Sequence, residues 1–345
     1  MADNKSWASP TTVNELLTYT ESVPHIYDSF LKANNVLSGY QRPCCSISGG
    51  KDSDIMLDLM TRIDTERKIK YVWFNTGIEY QATKDHLEYL EKKYGIEIHR
   101  ERAVKPIPVS CKEYGQPFLS KRVSEMIERL QRHNFQWEDE PFDVLVKRYP
   151  KCITAIGWWT NHFESIQFNI DYNRYLKEFI LLHPPEFKIS AKCCDYAKKK
   201  VAHRFSDREK CDLNITGVRR AERGLRASAY KNCFTSDDEK NPVAQYRPLF
   251  WYENDDEIQY DKLFNVSHSD CYSKYGLKRT GCVGCPFARN LEEELSVMEK
   301  YEPKLFKAAS MVFKDSYAYT EAFRAFVKDK KSRGIKNNEN KRGLK

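Results

Sequence analysis

The sequence contains no apolar run long enough to cross a membrane, and its first residues lack the hydrophobic stretch of a signal peptide. It also contains no internal repeat, which excludes solenoid and propeller architectures. Charged residues make up 31% and hydrophobic residues 41% of the 345 residues, as is typical of a soluble globular protein. We therefore expect a cytoplasmic protein with no membrane partner, built from one large domain or two small ones.

Net positive charge is small outside residues 328–345. The whole chain carries a net charge of +8, and this last segment has eight Lys/Arg against Asp329 and Glu339. We interpret residues 328–345 as a solvated, disordered basic tail, with nucleic-acid contact as the minority alternative. The rest of the chain makes no electrostatic case for binding DNA or RNA.

A strand, a glycine turn and a helix follow one another near the N-terminus. Residues 42–47 read as a buried strand, Gly49 and Gly50 make a tight turn, and residues 52–60 have the apolar spacing of a helix. This arrangement presents unpaired backbone N–H groups and the positive end of a helix dipole to an anion. The loop is not a Walker loop, because Asp52 stands where a Mg²⁺-binding Ser/Thr is required. An ordinary polar turn is the alternative.

Strands and helices continue to alternate after this loop. We predict a second strand at residues 70–75, ending in Thr76-Gly77, then a helix at 81–94 and a third strand at 96–99. Such alternation indicates a parallel sheet, whose ligands lie beyond the carboxyl ends of the strands. A later strand, 213–216, leads into Gly217 and two arginines suited to phosphate or sulfate. A solvated helix face is the alternative for those arginines.

Eleven cysteines would be unusual as disulfides in a reducing compartment, so a metal or redox role is the better interpretation. Cys193 and Cys194 are adjacent, and Cys282 and Cys285 form a C-x-x-C pair. Adjacent thiolates would crowd one tetrahedral zinc ion, whereas the separate irons of a 4Fe-4S cluster can each take one. Zinc and unliganded thiols stay open as alternatives, and Cys271 is the substitute if one of the four is not a ligand.

The motifs resemble those of a known family. The S-G-G-K-D-S loop resembles the pyrophosphate loop of the adenine nucleotide alpha hydrolases, and C-C followed by C-x-x-C is similar to the ligand pattern of adenylyl-sulfate reductases. Together with T-G-V-R-R and G-Q-P-F-L-S-K, they resemble the phosphoadenylyl-sulfate (PAPS) reductase family over roughly residues 43–288. The likeness is greatest to its phage and clostridial branch, which is related to DNA phosphorothioation sulfurtransferases.

The resemblance implies an α/β fold with a Rossmann-like parallel sheet. It would comprise an N-terminal helical segment (1–38), a nucleotide-binding domain (39–290) with a helical insertion at about 108–186, and C-terminal helices (291–327). The ligand would be ATP, adenylyl sulfate or PAPS, with Mg²⁺. The residues expected to bind the nucleotide are Ser48, Gly49, Gly50, Lys51, Asp52, Ser53, Asn75, Thr76, Gly77 and Gly217.

The resemblance also has a gap. Assimilatory reductases of the family end in a Glu-Cys-Gly-Leu-His motif, and no cysteine follows Cys285 here. We therefore favour an ATP-pyrophosphatase-type sulfurtransferase over a sulfonucleotide reductase, with a non-catalytic redox module as the third alternative. A sulfur donor protein (a cysteine desulfurase or thiol carrier) and a nucleic-acid acceptor are the expected partners. The expected catalytic residues are Lys51, Arg219, Arg220 and Cys111, the last as a persulfide carrier.

Overall fold

The computed structural model describes residues 12–222, 230–239 and 241–342. The chain divides into two compact units. The first contains the chain up to Asn75 together with residues 79–103 and 198–281, and the second contains residues 76–78, 104–197 and the chain from Cys282 onward. The helical insertion predicted at about 108–186 lies within the second unit. No helix in the described part of the chain is both long and apolar enough to span a bilayer.

Strands and helices alternate through the first hundred residues, and helices dominate after them. The strands are β1 (Pro43–Ile47), β2 (Lys70–Asn75), β3 (Ile98–Arg102), β4 (Leu213–Thr216), β5 (Phe234–Thr235) and β6 (Ala244–Tyr246). The helices are α1 (Val13–Thr20), α2 (Pro24–Ser38), α3 (Lys51–Ile63), α4 (Gln81–Tyr94), α5 (Ile107–Tyr114), α6 (Lys121–Arg132), α7 (Phe142–Arg148), α8 (Ile153–Trp159), α9 (Leu176–Leu182), α10 (Lys192–Cys194), α11 (Lys200–Glu209), α12 (Asn254–Phe264), α13 (Asp270–Ser273), α14 (Leu291–Tyr301), α15 (Pro303–Val312) and α16 (Lys314–Arg342).

The first unit is built on a six-stranded sheet with the strand order β3-β2-β1-β4-β6-β5. Every neighbouring pair is parallel except β5 and β6. Central β1 lies between β2 and β4, so that Ser46 is opposite both Val72 and Thr216. The predicted α/β fold with a Rossmann-like sheet is confirmed, with an antiparallel edge strand in addition.

Local sequence explains the elements around the first loop. The apolar side chains of α3, including Ile55 and Leu59, are fully buried in the core of the first unit. Helix α4 ends at Gly95, whose φ of 60° is the left-handed conformation that glycine adopts readily. One cysteine expectation was wrong: Cys44 in β1 forms a disulfide with Cys211, two residues before β4. The two neighbouring parallel strands bring these residues together.

The second unit has an aromatic core of its own, formed by side chains such as Trp158, Trp159 and Phe179. Ser120 caps the N-terminus of its α6, because the hydroxyl of Ser120 accepts a hydrogen bond from the N–H of Val123. The predicted disordered tail is helical as far as Arg342, because α16 continues through it. Residues 343–345 of that tail lie outside the described residues.

Candidate nucleotide site and cysteine group

The glycine loop, residues 48–50, connects β1 to α3. Gly49 has a φ of 70°, and a Cβ at this position would lie 2.9 Å from the Cγ2 of Thr83, so both conformation and space require glycine. The N–H of Ser48 donates to the hydroxyl of Ser53 across 2.9 Å, which fixes the turn. Helix α3 begins at Lys51, with Gly50 as its N-cap residue. The loop therefore has the features that bind a phosphate group at a helix N-terminus.

The glycine loop lies at the point in the sheet where the order of the strands along the chain reverses. Chain order runs outward from β1 to β3 on one side and from β4 to β6 on the other, so β1 and β4 flank the topological switch point. Ligands of open α/β sheets bind in the crevice at this point. Beyond β4 the chain passes very close to α3, because a Cβ on Gly217 would lie 3.2 Å from the backbone oxygen of Asp52. Gly217 thus lies against the first turn of α3, and its contact with a nucleotide stays a prediction.

The side chain of Arg219 is buried among carboxyl groups, and it is not placed for the contact with phosphate that we expected. Its side chain is only 8% exposed, and its Nε lies 3.2 Å from an Asp52 carboxyl oxygen and 2.8 Å from one of Glu257. Its Nη1 donates to the backbone oxygen of Tyr252 and to the side chain of Asn254, each across 3.3 Å. The guanidinium therefore holds the first turn of α3 against the start of α12.

Two carboxyl groups, those of Asp52 and Glu257, share this guanidinium, and a third, that of Glu222, interacts with Asp52. Burial, together with the hydrogen bond and charge of Asp52, raises the pKa of Glu257 to about 9. Burial and Asp52 also raise the pKa of Glu222. Burial opposes the ionisation of Asp52, but the hydrogen bond from Glu257 and the charge of Arg219 lower its pKa overall. Asp52 is thus the ionised partner of Arg219, and Glu257 is protonated at neutral pH.

Two cations of the first unit lie at its surface. Lys51 is exposed, with its ammonium 5.0 Å from the ring centre of Tyr272. Arg220 is exposed too, and its guanidinium lies 5.4 Å from the ring centre of Trp251. Because each stacks on an aromatic ring at the protein surface, each can still reach an anionic ligand.

The second strand, β2, ends at the residue that the sequence predicts. Asn75 closes β2, and its backbone oxygen accepts from the N–H of Ala103 across 2.9 Å. The next residue, Thr76, is fully buried, and Gly77 has a φ of 86°. The chain passes from the first unit to the second between Asn75 and Thr76. Their contact with adenosine stays a prediction.

Sequence reasoning missed a buried polar network in the first unit. Asp54 is fully buried, with one carboxyl oxygen 3.1 Å from His86 Nε2 and 2.9 Å from His268 Nδ1. The other ring nitrogen of His268 lies 2.9 Å from Asp261. Burial opposes protonation of His268, but hydrogen bonds to the two aspartates outweigh it and raise its pKa to about 9. The sequence did contain a signal for this network. Asp54 lies four positions before Asp58, so an acidic residue falls on the apolar face of α3.

The second unit brings cysteines together. The thiol of Cys193, which is 4% exposed, hydrogen-bonds with those of Cys111 and Cys194, and Cys285 is close enough to affect it electrostatically. The hydrogen bond with Cys111 is the main cause of its raised pKa. We call Cys111, Cys193, Cys194, Cys282 and Cys285 the cysteine group; all five belong to this unit.

A cluster requires several soft sulfur donors, and the cysteine group supplies them. Its donor chemistry therefore fits iron–sulfur ligation. Within residues 12–222, 230–239 and 241–342, however, no three His, Cys, Asp or Glu side chains are already arranged to hold a metal ion. Cys271, the predicted substitute, belongs to the first unit, where its sulfur lies 3.7 Å from the hydroxyl of Thr83.

Fold and loop together define an α/β protein with a glycine loop before a helix N-terminus at the switch point of its sheet. Residues 42–150 match the family model of the phosphoadenosine phosphosulfate reductase domain. An uncharacterized protein of Methanocaldococcus jannaschii is 30% identical over 136 residues, which are 39% of this chain and 27% of that protein. The chain thus spans about a quarter of that relative's length. The phage and clostridial branch stays a prediction.

Several solved structures are similar at low identity. A PAPS reductase of Candida auris in a phosphate complex has a TM-score of 0.40 and 12% identity, covering 80% of this chain and 96% of its own. A U34-tRNA thiolase of Methanococcus maripaludis with its 4Fe-4S cluster has a TM-score of 0.38 and 15% identity, covering 86% and 80%. An NH3-dependent NAD synthetase of Campylobacter jejuni has a TM-score of 0.34 and 11% identity, covering 88% and 95%.

Proposed function

We propose that this protein is an enzyme that binds ATP at the glycine loop, adenylylates an acceptor and supports its thiolation, as an ATP-pyrophosphatase-type sulfurtransferase. The observation that carries the proposal is the glycine turn Gly49-Gly50, which leads into the N-terminus of α3 at the switch point between β1 and β4. The match of residues 42–150 to the reductase domain supports an adenylyl nucleotide as its ligand.

The first step is adenylyl transfer. An acceptor oxygen attacks the α-phosphorus of ATP, and the bond from that phosphorus to the departing pyrophosphate breaks. The N–H groups of the loop, with Lys51 and Arg220, stabilise the negative charge on the leaving pyrophosphate. Arg219 acts as a positioning residue through Asp52. Mg²⁺ would arrive with the phosphates and neutralise part of their charge.

The second step delivers sulfur. A sulfur nucleophile at the oxidation level of hydrosulfide displaces adenylate from the activated acceptor, so that the new carbon–sulfur bond replaces the carbon–oxygen bond. A cysteine desulfurase or thiol carrier would supply this sulfur as a persulfide, and a dithiol reductant would provide the two electrons that bring it to the hydrosulfide level while the dithiol becomes a disulfide. A nucleic acid or small molecule would accept the sulfur. A 4Fe-4S cluster, when bound, would supply a site for sulfur. The residues proposed to hold it are Cys193, Cys194, Cys282 and Cys285, with Cys111 as the persulfide-carrying thiol beside Cys193.

Calorimetric titration of the wild type, Lys51→Ala and Ser48→Ala with ATP tests the nucleotide site. We expect at least a tenfold loss of affinity for Lys51→Ala, since a hydrogen bond to a charged group is worth about 1.5–3 kcal/mol. Lys84→Ala, which removes a lysine from α4 of the same unit, is the matched control. Equal affinity in both loop variants and the wild type would remove the nucleotide-site assignment.

Reduction of adenylyl sulfate or PAPS is the second candidate, favoured by the name of the matched domain. It needs an accessible thiolate that attacks the sulfonyl sulfur. In the described part of the first unit, Cys45 and Cys271 are fully buried, and Cys233 lies beside the edge strand β5. We therefore expect ATP–pyrophosphate exchange with an acceptor present, and no sulfite release with reduced thioredoxin. Robust sulfite release from either nucleotide would reverse this choice.

A further inference from the structure

A hydroxyl group already occupies the phosphate position of the glycine loop. The N–H of Lys51 is one of the donors that a helix leaves without a partner in its first turn. Here it donates to the hydroxyl of Tyr272 across 3.3 Å. Tyr272 thus offers an oxygen to the same group that would bind a phosphate oxygen.

A second hydroxyl lies beside the first. The oxygens of Tyr272 and Thr280 are 3.0 Å apart and share one hydrogen bond. A Cβ on Gly50 would lie 3.2 Å from each of them, so both hydroxyls stand directly over the glycine. Two hydroxyl groups have two hydrogens, and the bond between them uses one. The other hydrogen is available to an anion at the loop.

The chemistry of the surrounding segment matches an anion with several charges. Residues 272–280 contain no acidic residue and three exposed basic ones, Lys274, Lys278 and Arg279. The ammonium of Lys51 lies on the ring of Tyr272 from the loop side. Burial raises the pKa of Tyr272 to about 12, so its hydroxyl keeps its proton at neutral pH and can donate.

We propose that Tyr272 and Thr280 are phosphate-binding residues of this site, which donate a hydrogen bond to the pyrophosphate part of the adenylyl nucleotide beside Lys51. This inference rests on the proposed function, because it requires a nucleotide at the loop. It adds a segment that lies more than two hundred residues after the loop in sequence and outside the matched residues 42–150. Specificity for the phosphate chain would then depend on residues 272–280 as well as on the loop.

The test compares Tyr272→Phe and Thr280→Val with the wild type in titrations with ATP and with inorganic pyrophosphate. Tyr272→Phe removes one oxygen and keeps the ring under Lys51. We expect its affinity for both ligands to fall about tenfold, as expected for one hydrogen bond to a charged group, and that of Thr280→Val to fall in the same sense. The matched control is Tyr89→Phe, since the hydroxyl of Tyr89 bonds Ser267 within the same unit.

Each other outcome has a definite meaning. Unchanged affinity in Tyr272→Phe and Thr280→Val, with a wild type that binds ATP, overturns this inference and leaves the proposed function standing. Tighter binding by Tyr272→Phe overturns it too, because the hydroxyl would then compete with phosphate for the Lys51 N–H. A loss for ATP without a loss for pyrophosphate moves the contact away from the phosphates and contradicts the proposal. A wild type that binds neither ligand removes both this inference and the proposed function.

Discussion

Replacing the two adjacent arginines by methionine, one at a time, should give opposite results. Arg219 is buried and makes ion pairs or hydrogen bonds with three side chains and one backbone oxygen. Arg220 is exposed and lies on the ring of Trp251. The first substitution should therefore lower stability, and the second should lower nucleotide affinity.

The magnitude for Arg219→Met follows from what it leaves behind. Removing one partner of a buried ion pair costs about 3–5 kcal/mol, because the other charge stays buried without compensation. Asp52 keeps 24% of its side chain exposed, so water reaches it in part and the lower end, about 3 kcal/mol, applies. Glu257 adds little to this cost, since it is protonated at neutral pH.

Arg220→Met removes much less from the folded protein. A cation on an aromatic ring at an exposed site contributes about 0.5–1 kcal/mol, so the stability should fall by no more than that. The affinity for ATP should fall about tenfold or more, because a charged contact to phosphate is lost. Arg204→Met, which removes an exposed arginine of α11 in the same unit, is the matched control.

Amide hydrogen exchange on the strands of the first unit measures stability where the substitution acts, and calorimetry measures affinity. The reasoning is refuted if Arg219→Met exchanges as slowly as the wild type while losing ATP affinity. That result would make Arg219 a phosphate ligand after all. Unchanged ATP affinity in Arg220→Met would remove its assigned role.

Three further predictions concern pH, packing and metal. The folded pKa of Glu257 is raised from 4.5 to about 9, so the stability that Glu257 contributes is complete below pH 4.5 and is lost as the pH rises toward 9. The free energy of unfolding of Glu257→Gln, measured with urea, should therefore depend less on pH in this window. The same pH dependence in the variant and the wild type would contradict the assignment. Gly217→Ala should lose about 1–3 kcal/mol and bind ATP more weakly, since its Cβ would press on Asp52; wild-type stability and affinity would show that the close approach is not needed. Anaerobically purified protein should hold about four irons. This iron should be lost when Ser replaces, one at a time, Cys193, Cys194, Cys282 or Cys285. The variant Cys111→Ser and the control Cys152→Ser should keep the iron. Stoichiometric zinc without iron would contradict the cluster proposal.

Local patterns predicted the elements that local forces determine. Strand β2 and helix α4 have the predicted bounds. The strand is a buried apolar run and the helix has a helical period with a glycine cap, and both patterns depend only on residues close together in sequence. Strand β3 begins at Ile98, where pairing with Tyr71 of β2 begins, and so lies two residues later than predicted. The edge strand β5 was not predicted, since its two residues carry no pattern.

The site was predictable where it depends on the loop and less so where distant residues decide. Sequence placed Arg219 and Arg220 equally at a strand end, but carboxyl groups of Asp52 and Glu257 turn the first inward. The same contact explains a shifted capping box. Asn254 and Glu257 have the spacing of a capping box, whereas Glu253 and Asp256 form it and Glu257 pairs with Arg219.

The ribosome synthesises the two strands that flank β1, β2 and β4, at very different times. Strand β2 follows within a few dozen residues, but Thr216 of β4 is added about 170 residues after Ser46, its partner in β1. At ribosomal rates this interval is roughly 8 to 34 seconds. Throughout it, the growing chain carries a glycine loop without Gly217 and Arg219, the residues that pack against the first turn of α3. The half-built sheet exposes the edge of β1 meanwhile, so nascent chains of this protein should depend on chaperones more than its finished stability suggests.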